Sequence, residues 1–144
     1  MKDIDVLMFL VPRVIVATLC GGIIGWERGM KNKVAGIRTH VIVCVGACLF
    51  TSTGFIFEPS IHVDPTRAIG QIITGIGFLG AGVIFKQEDK VIGVTSAAFI
   101  WLISSIGVLI GMGYLITSLF FTSGLLVSLL MLQRIEEYFK DKQK

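Results

Sequence analysis

Charged residues in this chain do not scatter; they gather into a few short islands. Between the islands lie five apolar runs, at about 4–26, 39–57, 65–85, 91–111 and 114–132. Each is close to or above the roughly 18 residues that read as a helix crossing a bilayer. Transmembrane strands would alternate apolar and polar residues over about 10 positions, whereas these runs are continuous and twice that length. The pattern therefore predicts an all-α, polytopic transmembrane bundle of five spans. Residues 1–133 form its single domain, and 134–144 form a charged tail. Charged residues are only 16% of the chain, against roughly a quarter in a soluble domain, which supports the same conclusion. The opening Met1-Lys2-Asp3-Ile4-Asp5 has little of the positive charge that starts a cleavable signal, so the first span is expected to be retained.

The loop charges predict an orientation. Arg28, Lys31, Lys33, Arg38, Lys86, Lys90, Arg134, Lys140, Lys142 and Lys144 fall on one side. Lys2 and Arg67 fall on the other, with Arg13 inside a span. The positive-inside rule then places the N-terminus outside and the tail in the cytoplasm. The net charge of +3 is spread over several islands. It builds no contiguous basic stripe, which excludes a nucleic-acid partner; the partner it implies is the lipid bilayer.

Glycines fall mostly inside the spans. Gly21 with Gly25, and Gly107 with Gly111, form GxxxG pairs, the spacing that lets helix backbones approach closely in lipid. Gly75, Gly77, Gly80 and Gly82 crowd the third span, which predicts that this helix is the centre of the bundle. Gly75-Ile76-Gly77-Phe78-Leu79-Gly80 also spells the dinucleotide-binding fingerprint, but it lies in mid-span without the preceding strand or the later acidic residue that the chemistry needs.

Ionisable residues at membrane depth are functional candidates by default. Arg13 has two fates open: snorkelling to the outer headgroups, or pairing with Asp64. Asp64-Pro65-Thr66-Arg67 reads as a helix start, with Asp64 as N-cap; in a further role Asp64 would be an oxygen ligand to a metal or the partner of Arg67. Glu27 ends the first span, where the helix dipole disfavours it, so it needs a cation, with Arg28 and Arg38 as the candidates. That group is either a clasp between the first two helices or a cytoplasmic site for an anion or a partner protein. His40, Cys44 and Cys48 share one helical face, but three ligands over about 12 Å of axis cannot meet on one ion. Together with Cys20 the cysteines are expected to pack as small apolar residues. No nucleophile stands at a recognisable spacing from a base, and His40 and His62 fall on opposite membrane faces, so no enzyme is expected.

Several segments, in order, resemble the MgtC/SapB family of bacterial inner-membrane proteins. They are Gly25-Trp26-Glu27-Arg28, Ala35-Gly36-Ile37-Arg38-Thr39-His40, Asp64-Pro65-Thr66-Arg67, Gly75 to Gly82, and Gly93-Val94-Thr95-Ser96-Ala97-Ala98, continued by Trp101 and Gly107. The resemblance covers residues from about 13 to 113. It implies a five-span bundle associated with magnesium-limited growth and with survival inside host cells, a virulence trait. Mg²⁺ would be the ion transported or sensed. The resemblance equally implies regulation through contact with another membrane complex, such as the F-type ATP synthase. Many members carry a soluble cytoplasmic domain after the fifth span, whereas about eleven residues follow it here.

Magnesium keeps much of its hydration and takes oxygen ligands, often one or two carboxylates. The acidic residues near the membrane, Glu27, Glu58 and Asp64, fall on opposite sides. Two expectations therefore stand: an ion transporter with Asp64 near an outer mouth, or a regulator that docks through its helix faces. Glycine-lined faces add the expectation of a homodimer.

Overall fold

A computed structural model of the chain describes residues 2–56 and 64–142. Its elements are α1 (Asp3–Met30), α2 (Ile37–Ile56), α3 (Pro65–Gly82), β1 (Phe85–Gln87), β2 (Lys90–Ile92), α4 (Val94–Gly111) and α5 (Leu115–Asp141). Phe57, Glu58 and His62 lie outside the described residues.

Four of these helices, α1, α2, α4 and α5, are long and apolar enough to cross a membrane. The chain is a multi-pass membrane protein. Helix α3 falls short of that standard, because Thr66, Arg67, Gln71 and its glycines dilute the apolar residues.

Boundaries differ from the sequence expectation in three places. Helix α1 extends past the expected end near 26 to Met30 and runs unbroken through Pro12, which transmembrane helices tolerate. The charged turn at Lys86–Lys90 is a small antiparallel hairpin, with Phe85 opposite Ile92 and Gln87 opposite Lys90. The helices beside it therefore stop at Gly82 and resume at Val94. Gly93 ends the hairpin at φ +90°, in the left-handed region, and caps α4. Helix α5 continues to Asp141, so most of the expected tail is helical.

Helix directions can be read from the close approaches. A Cβ on Gly21 would lie 2.7 Å from the His40 carbonyl oxygen and the Val41 Cα, and one on Gly25 would lie 2.5 Å from the Ile37 Cα. Rising numbers on α1 meet falling numbers on α2, so these two run antiparallel. Gly107 meets Cys44, and Gly111 meets Cys48 and Thr51. Both series rise together, so α2 and α4 run parallel. The tight turn at Met112–Gly113 reverses the chain into α5, which makes α5 parallel to α1.

The core belongs to α1, α2 and α4. Ala17, Cys20 and Ile24 pack with Val43, Cys44, Ala47 and Cys48, and with Ile100, Ile103 and Ile110. This corrects the expectation that the third span is the centre: α2 holds that position, between α1 and α4. Helix α3 sends only Ile72 and Ile76 into the core. Among the described residues nothing lies within 4 Å of a Cβ built on Gly75, Gly77 or Gly82, and one on Gly80 meets only Ala97, at 3.7 Å. The GxxxG pairs make the close backbone contacts: Gly21/Gly25 against the backbone at Ile37, His40 and Val41, and Gly107/Gly111 against Cys44 and Cys48 beside Ala47 and Thr51. All three cysteines are free and buried, in keeping with packing roles.

Candidate functional site

The sequence-nominated charges divide between the two ends of the bundle. At one end, where α1 finishes, α2 starts and α5 extends past them, the absent side chain of Gly25 lets the first turn of α2 lie against α1. His40 is thereby buried completely beside Arg28 and Glu27, themselves only 4% and 3% exposed.

Glu27 is the hub. Its Oε1 accepts a hydrogen bond from Gln133 Nε2 of α5 at 2.6 Å and pairs with Lys31 Nζ at 2.9 Å. Its Oε2 lies 3.6 Å from Arg28 Nη1. The cations of Glu27 are thus Lys31 and Arg28; Arg38, the other candidate, is exposed on the first turn of α2 and takes no part. The Arg28 guanidinium sits 4.5 Å above the Phe99 ring, which ties α4 into the same cluster. His40 Nδ1 is 2.8 Å from the Gly36 carbonyl. A carbonyl only accepts, so Nδ1 carries the proton. Among the described residues, three buried atoms of this cluster have no hydrogen-bond partner: Glu27 Oε2, Arg28 Nε and His40 Nε2.

At the opposite end Arg13 folds back along its own helix. Its Nη1 donates to the Phe9 carbonyl at 2.6 Å, and the guanidinium lies 3.5 Å over the Phe9 ring. It stands beside Gly113 in the α4–α5 turn. This is the snorkelling direction, and Asp64 is not its partner. Asp64 caps α3: its Oδ1 accepts from the Thr66 amide at 2.9 Å and from the Thr66 hydroxyl at 2.6 Å. Those two donors hold its carboxyl below the usual aspartate range, with a smaller contribution from the Arg67 charge. Arg67 is exposed, and the Asp64–Arg67 link is the turn between the Arg67 amide and the Asp64 carbonyl, at 3.2 Å.

The structure therefore unites Glu27 and Arg28, and leaves Asp64, Arg67, Arg13 and Arg38 apart from them. It adds Lys31, His40 and Gln133. His40 was legible as one turn beyond Gly36 on the face opposite Gly25, and Gln133 as the lone amide where the last apolar run gives way to charge. Among the described residues, no group of three or more His, Cys, Asp or Glu is placed to hold a metal ion. Chemically the cluster is a four-helix clasp around a carboxylate that three donors already engage.

The MgtC family profile matches residues 14–138. YhiD of Escherichia coli K12, a proposed magnesium transporter, is 44% identical over 107 residues, which is 70% of this chain and 50% of that protein. Protein MgtC of Brucella abortus is 46% identical over 99 residues, 67% of this chain and 40% of that one. Protein MgtC of Salmonella typhimurium is 41% identical over 108 residues, 74% and 46% of the two chains. The matched part thus spans about half the length of these relatives. No solved structure matches. The family match covers the segment that builds the buried clasp, and the chain belongs to the MgtC family.

Proposed function

We propose that this chain is a five-crossing protein of the bacterial inner membrane that serves adaptation to low magnesium by regulating another membrane protein through contact. The observation that carries this reading is α3. Helices α2 and α4 run parallel, so the chain has to return between them, and α3 is the helix that lies between. Its 18 residues make about 27 Å at 1.5 Å per residue, near the roughly 30 Å of a hydrocarbon core. Its free side mixes the exposed apolar side chains of Ile73, Phe78 and Leu79 with the open Gly70, Gly75, Gly77 and Gly82 and the exposed Gln71 and Thr74. A crossing helix of that kind is suited to cover by another protein helix, since small residues are what close helix packing in lipid uses. The occupant is a second copy of the chain or a larger complex such as the F-type ATP synthase. The charge distribution supports a cytoplasmic C-terminus: Arg28, Lys31, Lys33, Arg38, Lys86, Lys90 and Arg134 share the end of the clasp.

The clasp supports regulation over conduction. Glu27 is neutralised by Lys31 and Arg28 and hydrogen-bonded by Gln133, so a hydrated divalent cation would have to displace all three. A second reading, magnesium transport, draws on the name given to YhiD and on the exposed Gln71 and Thr74, which two copies could turn toward a shared path. Proteoliposomes containing only this protein, assayed for Mg²⁺ uptake, separate the two. The regulator reading expects uptake equal to protein-free vesicles, together with co-purification of a membrane partner that Gly77→Leu abolishes. Saturable uptake that Asp64→Ala removes would establish the transporter.

A further inference from the structure

Buried polar groups of folded proteins nearly always find a hydrogen-bond partner, so the three orphaned atoms of the clasp call for an explanation. They belong to neighbouring side chains. A Cβ on Gly25 would stand 3.1 Å from the His40 Cβ, and Glu27 and Arg28 follow within the next turn of α1. All three residues are closed to solvent, with 0 to 4% of their surface exposed. Glu27 reaches α5 through Gln133, and Arg28 reaches α4 through Phe99. Among the described residues, no side-chain hydrogen bond joins either of them to α2. The polar contact between the first two helices is thus incomplete at the point where Gly25 packs them closest.

The pattern of donors and acceptors selects what completes it. His40 Nδ1 carries the proton that goes to the Gly36 carbonyl, so the neutral ring presents Nε2 as an acceptor. Glu27 Oε2 is a second acceptor, and Arg28 Nε is a donor. The partner they require gives two hydrogen bonds and takes one. An ammonium group has nothing to take with, and an anion has nothing to give and would face Glu27. A metal ion would face Arg28 and Lys31. Direct closure does not serve either. Glu27 and Arg28 are consecutive on a helix, and residues so spaced do not face each other; a guanidinium forked onto Glu27 would still leave His40 Nε2 bare. Side chains so nearly closed to a water-sized probe also admit nothing larger than water. We propose that one ordered water sits among these three residues, donating to Glu27 Oε2 and His40 Nε2 and accepting from Arg28 Nε. Three hydrogen bonds are the usual complement of a buried water. This water is the polar link between α1 and α2, and through Gln133 and Phe99 it joins the inner ends of all four apolar helices.

A crystal structure grown in lipid and resolving ordered solvent tests the site in the unmodified chain. The expected result is one solvent peak at about 2.7–3.2 Å from all three atoms. Nitrogen NMR in nanodiscs gives an independent reading, using histidine-labelled protein in which His62→Gln leaves His40 as the only histidine. The ring should be neutral with Nδ1 protonated and Nε2 shifted as a hydrogen-bond acceptor. Its Hε1 should show a cross-peak to slowly exchanging water. The proposal is overturned by the absence of a solvent peak, by Arg28 forked onto Glu27, or by a peak at metal-ligand distances of about 2.0–2.6 Å. A doubly protonated His40 ring, or a proton on Nε2 alone, would overturn it equally.

Discussion

Replacing Gly21 and Gly77 by alanine, one at a time, separates glycine that packs from glycine that does not. Both lie in helix interiors, where the substitution gains about 0.5–1 kcal/mol of backbone entropy. They differ in what the new methyl meets. At Gly21 it would stand 2.7 Å from the His40 oxygen and the Val41 Cα, both backbone atoms, where ordinary contact begins near 3.4 Å. Helices α1 and α2 must therefore separate by about 0.7 Å along the seam. A gap of that size forfeits about a quarter to a half of each dispersion contact it opens, and overpacking of this kind costs about 1–3 kcal/mol. In lipid, where van der Waals packing and not hydrophobicity holds helices together, little compensates. The net expectation is a loss of about 1–2 kcal/mol for Gly21→Ala and a gain of about 0.5–1 kcal/mol for Gly77→Ala. Reversible unfolding of both variants in one detergent, at dilutions where the chain is monomeric, measures the difference. A larger loss for Gly77→Ala than for Gly21→Ala would refute the placement of α2 at the centre.

Further expectations follow from the clasp, the hairpin and the cap. Glu27→Ala leaves Arg28 buried and uncompensated, and should cost about 3–5 kcal/mol. Gln133→Leu should cost about 1.5–3 kcal/mol, the range for a hydrogen bond to a charged group. A double-mutant cycle on the two should return coupling of about 1–2 kcal/mol, and additivity would show that α5 is not held through this bond. Gly93→Ala forces a left-handed φ on alanine and drives its methyl into the Val83 carbonyl. It should cost more than the 1–2 kcal/mol of the left-handed conformation alone, read as lowered thermal stability. Because Asp64 is held below its unfolded value, its cap is in place above the ordinary aspartate range and is lost as pH falls through the lowered native value. Hydrogen exchange at the Thr66 amide should quicken over that acid window, and an unchanged rate would remove Asp64 as the cap.

Much of the architecture was legible in sequence because apolar run length is imposed by the bilayer and does not depend on neighbours. The GxxxG pairs of α1 and α4 were equally plain. The misplaced centre shows what composition leaves out: glycine on α3 tells how closely a neighbour could come, but whether one exists in the same chain depends on helix directions that only the contacts reveal. Continuing α5 to Asp141 was hidden for a related reason, since a helix that runs on beyond its apolar stretch needs no apolar run. At the site, Glu27 and Arg28 stood out as charges at a span end. Lys31 lies one turn past Glu27, and its role over Arg38 is a matter of rotamer and reach. His40 and Gln133 were harder, as each is a neutral polar residue whose meaning comes from a partner far away in sequence.

The account turns on α3 crossing the membrane despite its modest apolarity. Single cysteines at Thr66, in the first turn of α3, and at Gln87, in the hairpin that follows it, labelled with a membrane-impermeant maleimide in intact cells and in inverted vesicles, test this directly. The three native cysteines are buried and should contribute little background. A crossing helix predicts that Thr66→Cys reacts only in intact cells and Gln87→Cys only in inverted vesicles. Labelling of both from the same side would contradict the five-crossing topology and the docking surface built on it.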